Sequence, residues 1–333
     1  MKSIFRRGLN KIQRESSAFF QKIRKIIFPL WFINPVFRKI FFQSYETSSF
    51  SRKAYFLSEY IQKPGTRWIR SNFDFEVRFL TKTIKIPIRS EFFDADMGLA
   101  LCLLGLDSEV KYLYFKIFEN NSIRNGLKIL DIGANFGQNL LLFCSQSNDV
   151  TAFEPNPHCC MELGRVLNAN HFSPRLMNVA VGSSEGRIAL KWPAGCTWFG
   201  TVSDTKHLQE MGYLKFEEHN APVVVLDQEI SCSAQPVLIK IDVEGFEADV
   251  LKGAKNLLLE NDCIVLFEHD FSRSVGRKEI WTFFKSIGYN VYGIKEDTLK
   301  PFNGPYSLDE YLQDHRPNHA AIRGSSIFRF LYF

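Results

Sequence analysis

Four acidic residues each follow a short apolar run in the sequence, at the point where a buried strand would end. They are Asp131, Glu154, Asp242 and Glu268. In an open α/β sheet the carboxyl ends of the parallel strands line one crevice, and ligands bind there. A single acid at such a place could simply cap the following helix. Four acids at the ends of four different strands predict a shared ligand site.

The spacing around Asp131 indicates the class of ligand. The segment reads Asp131-Ile-Gly133-Ala-Asn-Phe-Gly137, and Glu154 follows Gly133 by twenty-one residues. An acid at about this offset from a strand–turn–helix unit binds ribose hydroxyls. A dinucleotide site would carry Gly-x-Gly-x-x-Gly around a pyrophosphate, which the carboxylate of Asp131 would repel. A cofactor with a sulfonium and an ammonium, S-adenosylmethionine, suits the site better, although the glycines alone are also compatible with an ordinary turn.

Two side chains are candidates for a catalytic base, which would assist a weak hydroxyl nucleophile. Asp242 ends one predicted strand, and His269 follows another; histidine changes charge near neutral pH. His269 could equally hydrogen-bond a loop. Asp242, Glu244 and Glu268 could instead hold a divalent metal through carboxylate oxygens, which is a secondary hypothesis.

Apolar strands alternate with helical stretches from residue 127 onward, and this pattern predicts parallel βαβ units in an α/β fold. The predicted strands are Leu127–Gly133, Asp149–Glu154, Arg175–Val181, Arg187–Trp192, Val223–Leu226, a run from Val237 to Asp242, Cys263–His269, Asn290–Ile294 and an antiparallel Ala320–Arg323. The predicted helices are Asp107–Glu119, Gly137–Ser147, Pro157 to about Asn170, Phe246–Glu260 and Lys278–Ile287. Residues 71–90 alternate in polarity and predict a β-hairpin before the main sheet. We expect the helix Asp107–Glu119 to form a wall of the cofactor cleft.

The positive charge of the chain is concentrated at its start. The 333 residues carry a net charge of +5, but residues 1–53 contain twelve Lys or Arg and two Glu, so this arm is +10 and the remainder is −5. A nucleic-acid groove through the core is therefore not expected. The basic, aromatic arm is compatible with a peripheral membrane anchor, with a helix packed on the domain, or with an organelle-targeting peptide.

The cysteines and the hydropathy indicate the compartment. Seven cysteines show no Cys-x-x-Cys pair and no zinc-like spacing, which is typical of a reducing compartment. No stretch is long and apolar enough to predict a membrane span. We expect a cytoplasmic protein, with peripheral contact at the membrane surface if the arm binds lipid.

Several motifs together resemble the FkbM-type methyltransferase family. They are Asp-Ile-Gly-Ala-Asn-Phe-Gly (131–137), Ala-Phe-Glu-Pro-Asn-Pro (152–157), Asn-Val-Ala-Val-Gly (178–182) and Lys-Ile-Asp-Val-Glu-Gly-Phe-Glu (240–247). The resemblance covers roughly residues 105–295. It implies a doubly wound, mostly parallel seven-stranded Rossmann-like sheet with helices on both faces. It also implies S-adenosylmethionine as the donor and a sugar, glycan or polyketide-type hydroxyl as the acceptor.

The resemblance also assigns roles to individual residues. Asp131, Gly133, Asn135 and Gly137 would hold the methionine and adenosyl portions of the cofactor, Glu154 the ribose hydroxyls, and Asn178 and Val179 the adenine, with Asp242 beside the sulfonium and the acceptor. The expected organisation is an arm (1–53), an extension with strands and a cleft-wall helix (54–126), the methyltransferase domain (127–326) and an aromatic tail (327–333).

Two other functions remain open on the sequence. One is an NAD(P)-dependent oxidoreductase, which shares the fold but would need the missing third glycine. The other is a non-catalytic, membrane-recruited binding protein, which would keep the sheet without needing the acids.

Overall fold

A computed structural model describes residues 34–47, 70–104, 108–197, 199–202, 205–210, 212–269, 274–295, 301–302 and 304–331. The strands, in chain order, are β1 (Phe73–Phe79), β2 (Lys82–Ile88), β3 (Lys128–Ile132), β4 (Val150–Phe153), β5 (Arg175–Met177), β6 (Ala180–Val181), β7 (Gly186–Pro193), β8 (Phe216–Val224), β9 (Val237–Ile241), β10 (Cys263–Glu268), β11 (Tyr289–Gly293) and β12 (Asn318–Arg323). The helices are α1 (Pro35–Glu46), α2 (Phe93–Leu103), α3 (Ser108–Glu119), α4 (Asn121–Arg124), α5 (Leu140–Gln146), α6 (Pro157–Ala169), α7 (Lys206–Glu210), α8 (Leu226–Glu229), α9 (Glu247–Lys252), α10 (Lys255–Glu260), α11 (Ser274–Ser286), α12 (Leu308–Gln313) and a 3₁₀ turn (Ile327–Leu331).

Seven strands form the central sheet in the order β11-β12-β10-β9-β3-β4-β5. The pairs β3/β4, β4/β5, β3/β9 and β9/β10 are parallel, whereas β12 runs antiparallel to β10 and to β11. The chain winds outward from β3 to β5 and then outward in the other direction from β9. The strand order therefore reverses between β3 and β9, which is where an open α/β sheet binds its ligand. The predicted mostly parallel seven-stranded sheet and its antiparallel last strand are confirmed.

Side chains of each central strand alternate between two cores, because successive residues of a strand point to opposite faces. Ile129, Ala152, Leu238 and Ile264 enter one core, which we call the first face. Their neighbours Leu130, Phe153, Ile239 and Val265 enter the other. This explains why the strands read as continuous apolar runs, which are typical of a sheet covered on both sides.

The hairpin β1–β2 packs against the first face. It pairs in antiparallel register from Phe73↔Ile88 to Phe79↔Lys82, and Ile84, Ile86 and Ile88 are fully buried there. Asn170, just after α6, hydrogen-bonds the edge of the hairpin. Its Oδ1 accepts from the backbone N–H of Lys85 at 2.7 Å, and its Nδ2 donates to the carbonyl oxygen of Lys85 at 2.6 Å.

The two ends of the chain are described in part. Within the arm, α1 buries Phe42 and Tyr45, and Phe42 lies 4.3 Å from the ring of Phe75. The rest of the predicted arm, residues 1–33 and 48–53, lies outside the described residues. In the tail, Phe328 and Leu331 join the first-face core. Within the described ranges, no helix combines the length and apolar character needed to cross a membrane.

Three predicted elements differ in the structure. The expected strand Val223–Leu226 is the end of the longer β8, which pairs antiparallel with β7 outside the central sheet, and Leu226 begins α8. The expected strand Arg175–Val181 is split, since β5 belongs to the central sheet while β6 pairs with β8 in a separate sheet of order β6-β8-β7. The expected helix Phe246–Glu260 is likewise two helices, interrupted at Gly253. A Cβ on Gly253 would lie 2.0 Å from the carbonyl oxygen of Gly182, so the two backbones approach too closely for a side chain between them.

Candidate active site

A cavity of about 270 Å³ opens at the carboxyl edge of the central sheet, beside the reversal point between β3 and β9. Glu154, Asp242, Glu244 and Glu268 line it together with aromatic side chains, among them Phe199. Three of the four acids predicted to share a site, those of β4, β9 and β10, therefore meet around one cavity. The fourth, Asp131, is buried and is not among the residues that line the cavity.

The turn after β3 requires its two glycines. Gly133 has a φ of +83°, and a Cβ there would lie 1.8 Å from the backbone oxygen of Asp242. Gly137 has a φ of +98°, and a Cβ there would lie 2.4 Å from Cδ1 of Leu163. Positive φ and close backbone approach are both features that only glycine permits without strain. The turn brings the tip of β3 against the tip of β9, and this contact forms the floor of the cavity.

Glu154 is held rigidly at the end of β4. The backbone N–H of Asn135 donates to its Oε2 at 2.7 Å, and the backbone N–H of Asn156 donates to its Oε1 at 2.8 Å. Asn135 itself has a φ of +51°, a conformation that asparagine tolerates better than most residues. Burial raises the pKa of Glu154 to about 7, and the two N–H donors oppose that rise. The carboxylate can accept further hydrogen bonds from hydroxyls in the cavity.

Asp131 is 1% exposed, and neither of its carboxylate oxygens has a hydrogen-bond partner. Burial raises its pKa to about 7, the ammonium of Lys240 lowers it, and the carboxylates of Asp242 and Glu154 raise it. An unpartnered buried carboxylate is costly, so this position is suited to a ligand that brings a donor or a positive charge. Asp131 does not itself line the cavity. It lies one residue before the end of β3, opposite Lys240 of β9 in the strand register.

Lys240 is a buried charged residue of the site that sequence reasoning missed. Its side chain is 3% exposed, and its Nζ lies 3.6 Å from Oδ2 of Asp242 and 3.9 Å from Oε2 of Glu268. A buried lysine normally needs such partners. Lys240 thus lies near the acids of β9 and β10, and it also lowers the pKa of Asp131 in β3. The signal was present in the sequence as one charged residue inside the apolar run Val237–Ile241.

The turn after β9 is held by the buried side chain of Glu247. Glu244 and Gly245 both have positive φ, +52° and +102°, and Oε1 of Glu247 accepts from the N–H of Gly245 at 2.9 Å. Oε2 of Glu247 lies 3.4 Å from Nδ1 of His269, and both side chains are at least 97% buried. Glu247 therefore does more than start a helix, since it fixes the turn that presents Asp242.

The remaining predicted residues fall on different sides of the cavity wall. Val179 lines the cavity. Asn178 does not, because its side chain donates to the backbone oxygen of Glu154 at 2.8 Å. His269, one of the two candidate bases, is likewise absent from the lining, whereas Asp242 belongs to it. The geometry thus favours Asp242 over His269 for contact with a substrate.

Two further expectations can be compared with the structure. The predicted wall helix, here α3, does not line the cavity; α2 does, through Ala95, Gly98 and Cys102. In the part of the chain that the structure describes, no three His, Cys, Asp or Glu side chains are grouped to hold a metal ion, so the secondary hypothesis of a metal on Asp242, Glu244 and Glu268 gains no support from geometry.

Comparison with known proteins identifies the domain that carries this cavity. Residues 131–291 match the family model described as "Methyltransferase FkbM domain". This segment is an FkbM methyltransferase domain. The resemblance of the sequence motifs is confirmed, and the class of the domain is that of a transferase.

Individual relatives are more distant. The hexuronic acid methyltransferase AglP of Haloferax volcanii is 27% identical over 139 residues, which are 42% of this chain and 54% of AglP. The chain thus spans about half the length of this curated relative. An FkbM methyltransferase structure from Methylobacillus flagellatus KT has a TM-score of 0.39 at 18% identity, covering 70% of this chain and 59% of that one. An S-adenosylmethionine-dependent methyltransferase from Clostridium acetobutylicum ATCC 824 has a TM-score of 0.35 at 10% identity, covering 66% and 93%.

Proposed function

We propose that the protein transfers the methyl group of S-adenosylmethionine to a hydroxyl of a sugar, glycan or similar acceptor. The observation that carries the proposal is the FkbM methyltransferase domain, residues 131–291, whose cavity holds Glu154 in a fixed orientation. A carboxylate with both oxygens anchored by backbone N–H groups is preorganised to receive the two hydroxyls of a ribose.

The residues around the cavity fit this cofactor. The acids of β3, β4 and β9 bring carboxylates to or near the cavity, and carboxylates suit a ligand with a sulfonium and an ammonium. The unpartnered oxygens of Asp131 fit a nearby cationic or hydrogen-donating group. Gly133 brings backbone to the cavity lining, and Val179 adds apolar surface there that suits the adenine ring. The proposed cofactor residues are those expected from the sequence, with Asn178 acting through the backbone of Glu154.

When bound, S-adenosylmethionine supplies an electrophilic methyl group. The chain has to align an acceptor oxygen with that methyl and receive the hydroxyl proton, and alignment alone can lower the barrier by several kcal/mol. Asp242 is placed for the second task. Its Oδ2 faces Lys240 at 3.6 Å, while the residue lines the cavity. In the proposed step, the acceptor oxygen would lose its proton to Asp242 and form a bond to the methyl carbon, while the carbon–sulfur bond would break and leave its electron pair on a neutral thioether.

The proposed acceptor class rests on two observations. The relative AglP is named as a hexuronic acid methyltransferase, which supports a sugar acceptor. The lining of this cavity combines carboxylates with aromatic rings, including Phe199 and Phe246. Aromatic rings stack on the apolar faces of sugars, and the carboxylates favour an acceptor that carries no negative charge of its own.

The place of action is also a proposal. In the described part of the chain, which contains all seven cysteines, no disulfide joins them, and this supports a reducing compartment such as the cytoplasm. The described part of the arm, α1, exposes Val36, Phe37 and Ile40 beside basic residues. An exposed apolar and basic helix supports peripheral contact with an anionic membrane surface, where a lipid-linked glycan would be met.

Calorimetric titration tests the cofactor. We expect S-adenosylmethionine to bind and NADH not to bind, and Glu154→Ala to weaken binding by more than tenfold through loss of the ribose contacts. Binding of NADH alone would contradict the proposal in favour of an oxidoreductase. Binding of neither would favour a non-catalytic protein.

Turnover of two variants tests the base. Once an acceptor is found among hydroxylated glycans, Asp242→Asn should lower kcat by roughly a hundredfold or more. His269→Ala should lower kcat less, because His269 does not line the cavity and contacts the Glu247 side chain, which holds the turn after β9. An unchanged kcat in both variants would exclude both residues as the base.

A further inference from the structure

The cavity has a wall that comes from outside the central sheet. Residues Thr197 and Phe199–Val202, which we call the wall segment, follow β7 and line the cavity. Near the end of the segment, two backbone hydrogen bonds join it to β7. The N–H of Thr201 donates to the carbonyl oxygen of Lys191 at 2.8 Å, and the N–H of Lys191 donates to that of Thr201 at 2.9 Å. The wall segment therefore leaves the small sheet in a defined direction.

A small apolar cluster supports the outer side of this wall. Cys196, Leu208 and Tyr213 are buried together, and Phe199 packs against them. The Sγ of Cys196 lies 3.4 Å from the hydroxyl of Tyr213. The cluster supports one side of the segment. Thr197 itself is held by two other side chains, Glu162 of α6, which bonds its side chain, and Asn156, which bonds its backbone oxygen.

Asn156 makes the contact that also reaches the turn of Glu154. Its Nδ2 donates to the backbone oxygen of Thr197 at 2.8 Å. Its Oδ1 accepts from the backbone N–H of His158 at 3.0 Å and so caps α6. Its own backbone N–H donates to Oε1 of Glu154 at 2.8 Å. The residue is 1% exposed. One buried side chain thus joins the wall segment to the same turn that orients Glu154.

We propose that Asn156 is a positioning residue, which holds the wall segment against the ribose end of the cavity and thereby sets how long S-adenosylmethionine stays bound. The inference rests on the proposed function. A buried amide donor lost at this point leaves the carbonyl of Thr197 with one weak donor, the Sγ of Cys159 at 3.3 Å. The segment then opens more often, and bound cofactor leaves through the opened wall.

Two substitutions separate this role from helix capping. Serine and aspartate are both good N-cap residues, so Asn156→Ser and Asn156→Asp keep the cap of α6 and the backbone bond to Glu154. Both remove the donor to Thr197. Asn120→Ser is the matched control, because Asn120 also caps a helix, α4, through one bond to the N–H of Ser122, and it does not line the cavity.

Two measurements test the proposal. Hydrogen exchange of the cofactor-free protein should show faster exchange at the wall segment in both Asn156 variants but not in the control. Dissociation of labelled S-adenosylmethionine, chased with unlabelled cofactor, should be roughly fivefold to tenfold faster in both variants, the factor expected for one hydrogen bond. The association rate should stay near that of the wild-type protein.

The outcomes are distinguishable. Dissociation within twofold of the wild type in both variants, or unchanged exchange at the wall segment, would overturn the role of Asn156. Slower association with unchanged dissociation would also overturn it, because that result indicates a distorted Glu154 instead. Failure of the wild-type protein to bind the cofactor at all would refute the proposed function itself.

Discussion

Lowering the pH should weaken the binding of S-adenosylmethionine while it stabilises the cofactor-free protein. Burial raises the pKa of both Glu154 and Asp131 to about 7. A cofactor that donates ribose hydroxyls to Glu154 and brings positive charge near Asp131 binds best when both groups are ionised. Acidification therefore removes the form of the site that the cofactor needs.

The size of the effect follows from the pKa of about 7. For Glu154 alone, the ionised fraction falls from about nine-tenths at about pH 8 to about one-hundredth at about pH 5. The dissociation constant should then rise about a hundredfold, which corresponds to about 2.7 kcal/mol. Asp131 adds to this change. Glu154→Gln should bind less tightly at about pH 8 and should show a shallower pH dependence, since one titrating group is gone.

The stability of the cofactor-free protein should change in the opposite direction. Because the pKa of Glu154 is higher in the folded protein than in the unfolded chain, folding favours the protonated form. Its contribution to the free energy of unfolding is fully present below about pH 4.5 and is lost as the pH rises through about 7, by about 3 kcal/mol. The opposite signs separate a specific loss of binding from general acid unfolding.

Calorimetry in two buffers with different ionisation enthalpies provides the assay, because it counts the protons released when the cofactor binds. We expect proton release between about pH 5 and about pH 7, and less of it in Glu154→Gln. A dissociation constant that stays the same across this range, or that falls on acidification, would refute the assignment of Glu154 and Asp131 to the cofactor.

Three further predictions concern packing, membrane contact and the acceptor. Gly133→Ala should destabilise the protein by about 2–5 kcal/mol in urea unfolding, since its Cβ would meet the backbone of Asp242 at positive φ; Gly126→Ala, with open space around it, should be neutral, and equal stability of the two would contradict the close-approach argument. Replacing exposed Phe37 and Ile40 by serine should weaken sedimentation with anionic vesicles by roughly tenfold or more, and unchanged sedimentation would exclude α1 as a contact. A hexuronamide glycoside should accept methyl roughly tenfold faster than the matched hexuronate because of the cavity's carboxylates, and a faster hexuronate would refute that electrostatic argument.

The strands of the sheet were predictable because burial on both faces makes them continuous apolar runs bounded by polar residues. The helix α2 was not. Ten of its residues, from Phe93 to Leu103, are buried on all sides, so its sequence has no polar face and no helical periodicity to detect. Its acid Asp96 is 2% exposed and is compensated by an ion pair with Arg165 of α6. Such long-range pairing cannot be inferred from local sequence, and for that reason the cavity wall was assigned to the wrong helix.

The position of the wall segment also could not be predicted from the sequence. Val179 follows the point where the chain leaves the central sheet, and from there β6, β7 and β8 build a second sheet whose register is set by contacts between distant residues. The bond from Asn156 to Thr197 spans forty-one residues. The cap that Asn156 makes on α6 is a local feature of the sequence, whereas its bond to Thr197 depends on the tertiary fold.

By contrast, the alternation of side chains along a strand predicts which of the two candidate bases faces the cavity. Asp242 and Lys240 are two residues apart and therefore point to the same face of β9. Leu266 is paired with Lys240 and Phe267 with Ile241, so Glu268 is level with Asp242 and shares its face. His269, one residue further, must turn to the opposite face, where it meets Glu247.

The same parity argument holds for the other strand tips. Ile129 and Ala152 point into the first-face core, and Asp131 and Glu154 follow each of them by two residues. All four predicted acids therefore belong to one face, the side that carries α2 and the hairpin, before any side-chain geometry is considered. A residue on the other face, such as His269, can influence the chemistry only by holding the backbone turn that presents Asp242. This is why we expect His269→Ala to be milder than Asp242→Asn.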